Sequence, residues 1–258
     1  MHKNKNIISV ANQKGGVGKT TTVVNLATAM AACSRSVLII DSDPQGNAST
    51  GLGFNKEVCE CDLYDIFSKK TSINQNIVKT KIPNLSIIPT SVNLTVIEQE
   101  FVNIEDRELK LKAILNDLEK NFDYILIDCP PSLGLLTINA FAASNNLIVP
   151  LQVEFYALEG LSQLLKTFEL VKLNFNHNLN LQGIVLTMYD KRNKISEMVA
   201  QDVKSYFNEK VYKTIIPRNV KISEAPSHGI PILMYDITSS GAQAYASLAA
   251  EIINQEKK

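Results

Sequence analysis

The feature that most constrains this chain is a glycine-rich turn between an apolar run and a helix-like run near its N-terminus. Ile7–Ala11 is apolar and β-rich, as expected of a buried parallel strand. Asn12–Gly18 then has three glycines in four positions, so that its backbone N–H groups can close around an anion. The helical run begins at Lys19 and Thr20. This order predicts a phosphate-binding site, with Lys19 on the β- and γ-phosphates of a nucleotide and the Thr20 hydroxyl on Mg²⁺.

The turn departs from the common pattern Gly-x-x-x-x-Gly-Lys-[Ser/Thr] at its first position. Gln13 stands where that pattern has glycine, and a second lysine, Lys14, opens the loop. One lysine is enough to neutralise the phosphates of a nucleotide bound to the same chain. A second lysine beside Gly15 and Gly16, which lack Cβ atoms, indicates reach across a close interface to a nucleotide on another subunit. The alternative is a glycine-rich turn with two solvated lysines.

Composition limits the class of protein. With 258 residues, 45% of them hydrophobic and 20% charged, the chain can bury one large core, and the alternation of strand-like and helical runs favours a single α/β domain over residues 1–258. The formal net charge is zero, so any binding to nucleic acid must come from a local patch. No apolar run approaches the ~20 residues of a membrane span, and Met1–Asn6 has no secretory apolar segment.

The cysteines do not form a recognisable framework for zinc or disulfides. Their spacing offers no matching His or Cys pair, which predicts reduced thiols in a cytoplasmic protein without a metal centre of this kind; they are Cys33, Cys59, Cys61 and Cys129.

Two further strands are predicted to end in carboxylates. Val37–Ile40 leads into Asp41 and Asp43, and Tyr124–Ile127 leads into Asp128. In open α/β sheets ligands bind at the carboxyl ends of strands, so these side chains are expected to face Mg²⁺ and the γ-phosphate. An Asp after a strand is often only a helix cap. Because these Asp residues occur together with the Gly-Lys-Thr motif of a phosphate loop, the functional interpretation is favoured.

The remaining periodicities predict further strands and helices. The strands are Leu85–Pro89, Leu147–Pro150 and Leu181–Thr187, and the helices are Leu63–Ser68, Asn93–Phe101, Arg107–Glu119, Leu133–Ala143, Leu158–Leu173, Ile195–Phe207 and Ala242–Ile253. A turn is expected at 226–229, where His228 is assigned a structural role because no nucleophile lies near it in the sequence.

Two loops late in the chain are rich in basic residues. They contain Lys191, Arg192, Lys194, Arg218 and Lys221. Together these residues could form a phosphate-binding patch for DNA, although ordinary solvated surface explains the composition equally well.

Taken together, the motifs resemble the ParA family of DNA-segregation ATPases with a deviant Walker A motif, most closely its chromosomal Soj branch. The resemblance extends from Ile7 to about Ala250, and the segments that carry it are 14–20, 41–47, 127–132, 156–161, 216–220 and 224–229.

The resemblance implies a doubly wound, mostly parallel sheet flanked by helices. It further implies binding of ATP and Mg²⁺, a nucleotide-sandwich homodimer, and binding of DNA without sequence preference. Hydrolysis would be slow alone and stimulated by a ParB-type partner, and the ATP-bound cytoplasmic protein would associate with the nucleoid.

The resemblance also assigns roles to residues. Lys14 would contact the partner's ATP, Lys19 and Thr20 would serve as the loop lysine and Mg²⁺ ligand, and Asp43 would orient the attacking water. Asp41 and Asp128 would support the Mg²⁺ shell. The nucleotide would be bound by 14–21 and by the adenine-lining segment, that is by Lys14, Gly15, Gly16, Val17, Gly18, Lys19, Thr20, Thr21, Pro217 and Asn219. Arg192 and Lys221 would contact DNA. At the position of Lys221 the resemblance leads one to expect arginine, and this chain has lysine instead.

Two other classes of function share this phosphate loop. A membrane-cycling ATPase resembling MinD needs a C-terminal amphipathic anchor, and Ala242–Lys258 has few large apolar side chains. A redox ATPase resembling nitrogenase iron protein needs cluster-bridging cysteines, and Cys129 has no matching second cysteine downstream. Because Ile7 already lies in the first strand, a preceding helix-turn-helix is not expected. The sequence leaves open whether the cargo is a chromosome or a plasmid.

Overall fold

The computed structural model describes residues 6–54 and 62–255. Within these ranges the chain forms one sheet of seven strands: β1 (Asn6–Val10), β2 (Val37–Asp41), β3 (Val78–Lys79), β4 (Leu85–Ile88), β5 (Tyr124–Asp128), β6 (Asn146–Gln152) and β7 (Asn180–Thr187). Their order across the sheet is β3-β4-β2-β5-β1-β6-β7. All neighbouring pairs are parallel except β3 with β4, so that only one edge is antiparallel.

Helices connect the strands and cover the sheet. Their bounds are α1 (Lys19–Ala32), α2 (Asn47–Gly51), α3 (Leu63–Phe67), α4 (Ile97–Glu100), α5 (Lys110–Asn116), α6 (Leu135–Ala143), α7 (Ala157–Asn174), α8 (Lys194–Phe207), α9 (Val220–Glu224), α10 (Ile232–Tyr235) and α11 (Ser240–Gln255). Short 3₁₀ turns occur at Ile73–Asn76, Val92–Val96, Arg107–Leu109, Asn208–Lys210 and Ala225–His228.

Hydrophobic side chains are buried on both faces of the sheet. In β2, Leu38 packs with one apolar cluster and Ile39 with the other, and in β5 the neighbours Ile125 and Leu126 alternate in the same way. This alternation with burial on both sides is what a parallel sheet between helix layers requires. The predicted doubly wound α/β fold is confirmed.

The strand register brings the predicted carboxylates to one level of the sheet. Asp41 at the end of β2 pairs directly with Asp128 at the end of β5, and Asp128 also pairs with Val10 at the end of β1. The turn after β1 therefore begins beside both carboxylates, at the carboxyl edge where ligands bind in such sheets.

Two predicted helices are shorter than expected. Instead of a helix over Asn93–Phe101, a 3₁₀ turn precedes the single turn α4, because a run containing Val92, Thr95 and Val96 has low helix propensity. Instead of Arg107–Glu119, a 3₁₀ turn precedes α5, which ends at Asn116. The other predicted helices and strands are present, and their ends differ from the predicted ones by at most two residues. The patterns did not indicate β3, α2, α9 or α10, all of which have five residues or fewer.

The last helix is part of the core. Tyr245, Leu248, Ala249 and Ile252 of α11 are buried in the cluster that includes Leu26 of α1. Its apolar side is therefore covered by α1 in this fold. Among the described residues no helix is both long and apolar enough to cross a lipid bilayer.

Candidate active site

The glycine-rich loop has a backbone that only glycine adopts readily. Gly16 and Gly18 have φ values of 74° and 90°, in the left-handed region. A Cβ atom placed on Gly15, Gly16 or Gly18 would meet no other atom within 4 Å, so the loop borders open space. Gly18 is the N-cap of α1, and no side chain caps that helix end. The N-terminus of α1 therefore opens toward this space, as an anion site requires.

Two buried polar residues fix the loop to the sheet. Asn12 donates from Nδ2 to the carbonyl oxygen of Pro150 at 2.7 Å and accepts at Oδ1 from the backbone N–H of Lys14 at 3.0 Å. Thr187, the last residue of β7, donates to the carbonyl oxygen of Val17 at 2.8 Å. Neither residue was predicted to have this role, although each is a polar residue at the end of an apolar strand.

Lys19 lies inside the loop. Its side chain is buried and its ammonium donates to the carbonyl oxygen of Lys14 at 3.0 Å. Burial lowers the pKa of Lys19, while the charges of Asp128 and Asp43 act in the opposite direction. A cation held in this way by the loop itself is placed to receive phosphate oxygens with little reorganisation.

Three carboxylates meet below the loop. Asp41 is fully buried, and its Oδ2 accepts from the backbone N–H and the hydroxyl of Ser49 at 2.8 and 2.6 Å. Asp128 is also fully buried, and the Thr20 side chain interacts with it. Asp43 is buried, and its Oδ1 accepts from the Gln45 N–H at 3.0 Å.

Burial and mutual repulsion disfavour the charged forms of two of these groups. Burial is the largest effect on Asp41 and raises its pKa to about 6, against the hydrogen bonds from Ser49. Burial also raises the pKa of Asp128 well above its usual value, and the neighbouring Asp41 adds to the effect. A divalent cation at this position would relieve both effects.

The donor set fits Mg²⁺. The Oδ1 atom of Asp41 and both carboxylate oxygens of Asp128 are buried, and none of them accepts a well-formed hydrogen bond within the described residues. Among the described residues, no group of three or more His, Cys, Asp or Glu side chains is arranged so that it could hold a metal ion by itself. Mg²⁺ commonly takes one or two protein ligands and completes its shell with phosphate oxygens and water. Thr20, with Asp41 and Asp128 in support, is suited to that role.

Removing the Asp128 charge should change how the stability of the nucleotide-free protein depends on pH. Because the pKa of Asp128 is raised in the folded chain, the unfolded chain loses its proton first, and stability falls as the pH rises above the unfolded value near 3.8. Asp128→Asn abolishes this loss. We expect the free energy of unfolding of Asp128→Asn, relative to that of the original chain, to be higher at pH 8 than at pH 4, because only the original chain has a buried carboxyl whose pKa is raised by folding.

Urea unfolding at the two pH values measures this difference, with the exposed Asp202→Asn on α8 as the matched control. An equal effect of Asp128→Asn at both pH values would contradict the proposed burial penalty. The same variant should weaken Mg²⁺-dependent binding of nucleotide.

The loop borders a cavity of about 440 Å³ that can take a triphosphate. It is lined by Gly15, Gly16, Gly18, Lys19, Thr20, Thr21 and Asp43, by residues of α2, and by the segment around 225–232. An adjacent cavity of about 310 Å³ shares Gly18, Thr21, Met188 and Pro226 with it, and is lined by Pro217 and Asn219. The structure thus places the predicted adenine-lining residues next to the phosphate loop.

Lys14 stands apart from the other loop residues. Its backbone belongs to the loop, but its side chain is not among those that line either cavity. The ammonium instead contacts Glu154 Oε1, in the loop between β6 and α7. Glu154 was not predicted to belong to the site, because no local sequence pattern connects it with the phosphate loop.

Three of the five predicted basic residues share one groove. Lys191, Arg192 and Arg218 line it together with Lys213, which was not among the predicted residues. The guanidinium of Arg192 is held by Asp190 through bonds of 3.0 and 2.9 Å, and Arg192 lowers the pKa of Asp190 to about 2.

The other two predicted basic residues do not line this groove. Lys194 begins α8. The ammonium of Lys221 on α9 lies 3.3 Å from Glu224 and 5.4 Å from the centre of the Tyr235 ring. The same Tyr235 ring stacks on His228 at 5.1 Å, in agreement with a structural role for that histidine.

The cysteines in the described part of the chain differ in environment. Cys129 is fully buried, and burial raises the pKa of its thiol far above the usual value. Cys33 is exposed at the end of α1. Cys59 and Cys61 lie outside the described residues.

Comparison with known proteins places this geometry in a family. A family model described as AAA domain matches residues 5–181. The chain is 50% identical over 253 residues to the chromosome partitioning protein ParA of Caulobacter vibrioides, covering 97% of this chain and 95% of the relative. It is 51% identical over 246 residues to the sporulation initiation inhibitor protein Soj of Bacillus subtilis, covering 95% of this chain and 97% of the relative.

Among solved structures, cobyrinic acid a,c-diamide synthase from Mycobacterium smegmatis with bound ADP and magnesium is similar, with a TM-score of 0.86. It is 33% identical, and the match covers 98% of this chain and 96% of that one. Since two relatives match nearly the whole chain at half identity or above, this chain belongs to the ParA/Soj family of chromosome-partitioning ATPases.

Proposed function

We propose that this chain is a Mg²⁺-dependent ATPase that segregates DNA by cycling between an ATP-bound homodimer and a released monomer. The main observation in support of this proposal is that the two lysines of the phosphate loop have different environments. Lys19 lines a cavity with the other phosphate-site residues, whereas Lys14 does not line that cavity and its ammonium contacts Glu154. A second cation of this kind is available to a nucleotide on a second subunit.

Each residue of the site has a defined task in hydrolysis. Lys19 and the N–H groups of the loop hold the triphosphate and stabilise the charge that develops on it. Thr20, with Asp41 and Asp128 in support, would hold Mg²⁺, and the bound ion would supply positive charge that neutralises the phosphates. Asp43 lines the cavity and orients the attacking water.

Dimerisation completes the site. Lys14 of one subunit would place its positive charge on the triphosphate of the other, as cations supplied in trans do in related phosphoryl transfers. After hydrolysis and loss of phosphate, the charge that held the subunits together is reduced and the dimer separates. This coupling makes the enzyme a switch that is on with ATP and off with ADP.

The basic groove supplies a surface for DNA. Lys191, Arg192, Lys213 and Arg218 line one continuous groove, which suits phosphate contacts without base recognition. Lys194 and Lys221 belong to this proposal as flanking contacts. We further propose, by analogy with the named relatives, that a ParB-type partner stimulates hydrolysis and release and that the ATP-bound form associates with the nucleoid.

The described elements between residues 6 and 255 share one sheet and the two apolar clusters that cover its faces. This arrangement supports a single domain over 1–258.

The direct test compares nucleotides in a DNA-retardation assay. With ATP and Mg²⁺, the chain should form a dimer that retards duplex DNA of arbitrary sequence, and binding should weaken steeply as salt rises. Equal retardation with ADP, or binding that does not depend on salt, would contradict the proposal.

Loss of one groove charge should weaken this binding for all sequences alike. For Lys213→Ala we expect several-fold lower DNA affinity and a salt slope smaller by roughly 0.9, because one phosphate contact is lost. The slope is measured by titrating DNA at several salt concentrations. Lys166→Ala, an exposed lysine of α7 away from the groove, is the control. An unchanged slope for Lys213→Ala would remove this residue from the DNA surface.

A further inference from the structure

The contact between Lys14 and Glu154 joins two loops that follow neighbouring strands. β1 and β6 lie side by side, and the loop after β6 places Glu154 against the loop after β1. Glu154 is held by a local turn, with its own N–H donating to the Gln152 carbonyl and its carbonyl accepting from the Ala157 N–H, both at 3.0 Å. The backbone of Glu154, from which the carboxylate extends, is therefore fixed by this turn.

The contact neutralises both partners in the single subunit. The Lys14 and Glu154 side chains are 45% and 31% exposed, so the pair is partly shielded from water. The Glu154 Oε1 atom itself is buried and has no other hydrogen-bond partner within the described residues. The Lys14 ammonium is thus the group that compensates its charge.

Lys14 cannot at once keep this partner and lie on the triphosphate of another subunit. In the proposed dimer its ammonium must leave the Glu154 carboxylate before it reaches phosphate oxygens. Any free energy of the pair in the monomer opposes dimerisation by the same amount.

We propose that Glu154 is a positioning residue that holds Lys14 within its own subunit and so sets the ATP and protein concentrations at which the dimer forms. This inference rests on the proposed role of Lys14 in trans. Glu154 then acts as a competitor of the partner's triphosphate for one cation. This competition keeps the Lys14 ammonium on Glu154 until a second subunit with bound ATP is present.

Glu154→Gln tests this competition because it keeps the shape of the side chain and removes its charge. In the nucleotide-free protein, acylation of the Lys14 amine, followed by mass spectrometry, should be faster than in the original chain. With ATP and Mg²⁺, the dimer dissociation constant from analytical ultracentrifugation should fall by about twofold to fivefold, as expected for a partly exposed ion pair. Glu154→Asp, which keeps the charge, should restore slow acylation at least in part.

Glu169→Gln, the same change on the exposed side of α7, is the control and should alter neither readout. If Glu154→Gln dimerises more weakly than the original chain, Glu154 positions Lys14 inside the dimer and the competition is wrong. If acylation of Lys14 or the dissociation constant does not change while the original chain still dimerises, the inference also fails. If the original chain forms no dimer with ATP, it is instead the proposed function that fails.

Discussion

Lys14→Ala should abolish ATP-induced dimerisation and lower ATP turnover by roughly 10³-fold or more, the scale of effect seen for cations supplied in trans. Binding of ATP by the monomer should change little, because Lys19, the loop N–H groups and the N-terminus of α1 remain in place. Sedimentation with a slowly hydrolysed ATP analogue measures the dimer, a phosphate-release assay measures turnover, and a fluorescent nucleotide measures monomer binding.

Lys166→Ala removes the same charge from an exposed position on α7 and should behave as the original chain in all three measurements. Normal turnover by Lys14→Ala would show that the trans role is wrong. Loss of monomer binding would instead show that Lys14 serves its own nucleotide, in conflict with its position outside the cavity.

The second large effect is expected at Asp43. Asp43→Ala should lower hydrolysis by roughly 10² to 10⁴-fold, the usual contribution of a group that positions or accepts a proton. Dimerisation should persist, since Lys14, Lys19 and the Mg²⁺ ligands are unchanged. The variant should therefore stay bound to DNA as long as ATP is present, with a dissociation rate that no longer follows hydrolysis.

Single-turnover hydrolysis and the rate of release from DNA measure the two halves of this prediction. Asp202→Asn on α8 controls for loss of a carboxylate elsewhere. If Asp43→Ala fails to dimerise, the carboxylate has a structural or metal-binding task in place of orienting water.

The parts of the site that could be predicted from sequence are those that local chemistry determines. Gly16 and Gly18 adopt positive φ values that other residues avoid, and Lys19-Thr20 follows at once, so the loop is visible as a continuous pattern. Asp41 and Asp128 were each predicted to lie at the Mg²⁺ site because each follows an apolar strand, and the register of β2 and β5 places them opposite each other.

Residues whose partners are distant in sequence could not be predicted. Glu154 contacts Lys14 because β6 lies next to β1. Neither the sequence around Lys14 nor that around Glu154 indicates this order of the strands. Lys213 likewise joins Lys191 and Arg218 only because segments from different parts of the chain line one groove. The short helices α9 and α10 and the 3₁₀ turns are too brief for periodicity to appear.

Mixing two inactive variants tests the trans role of Lys14 most directly. In a dimer of one Lys14→Ala subunit and one Asp43→Ala subunit, the first subunit keeps Asp43 and receives Lys14 from the second, so one of the two sites is complete. The proposed mechanism predicts that ATP hydrolysis returns on mixing, up to about half the turnover per dimer of the original chain. No return of hydrolysis, with mixed dimers shown to form, would contradict it.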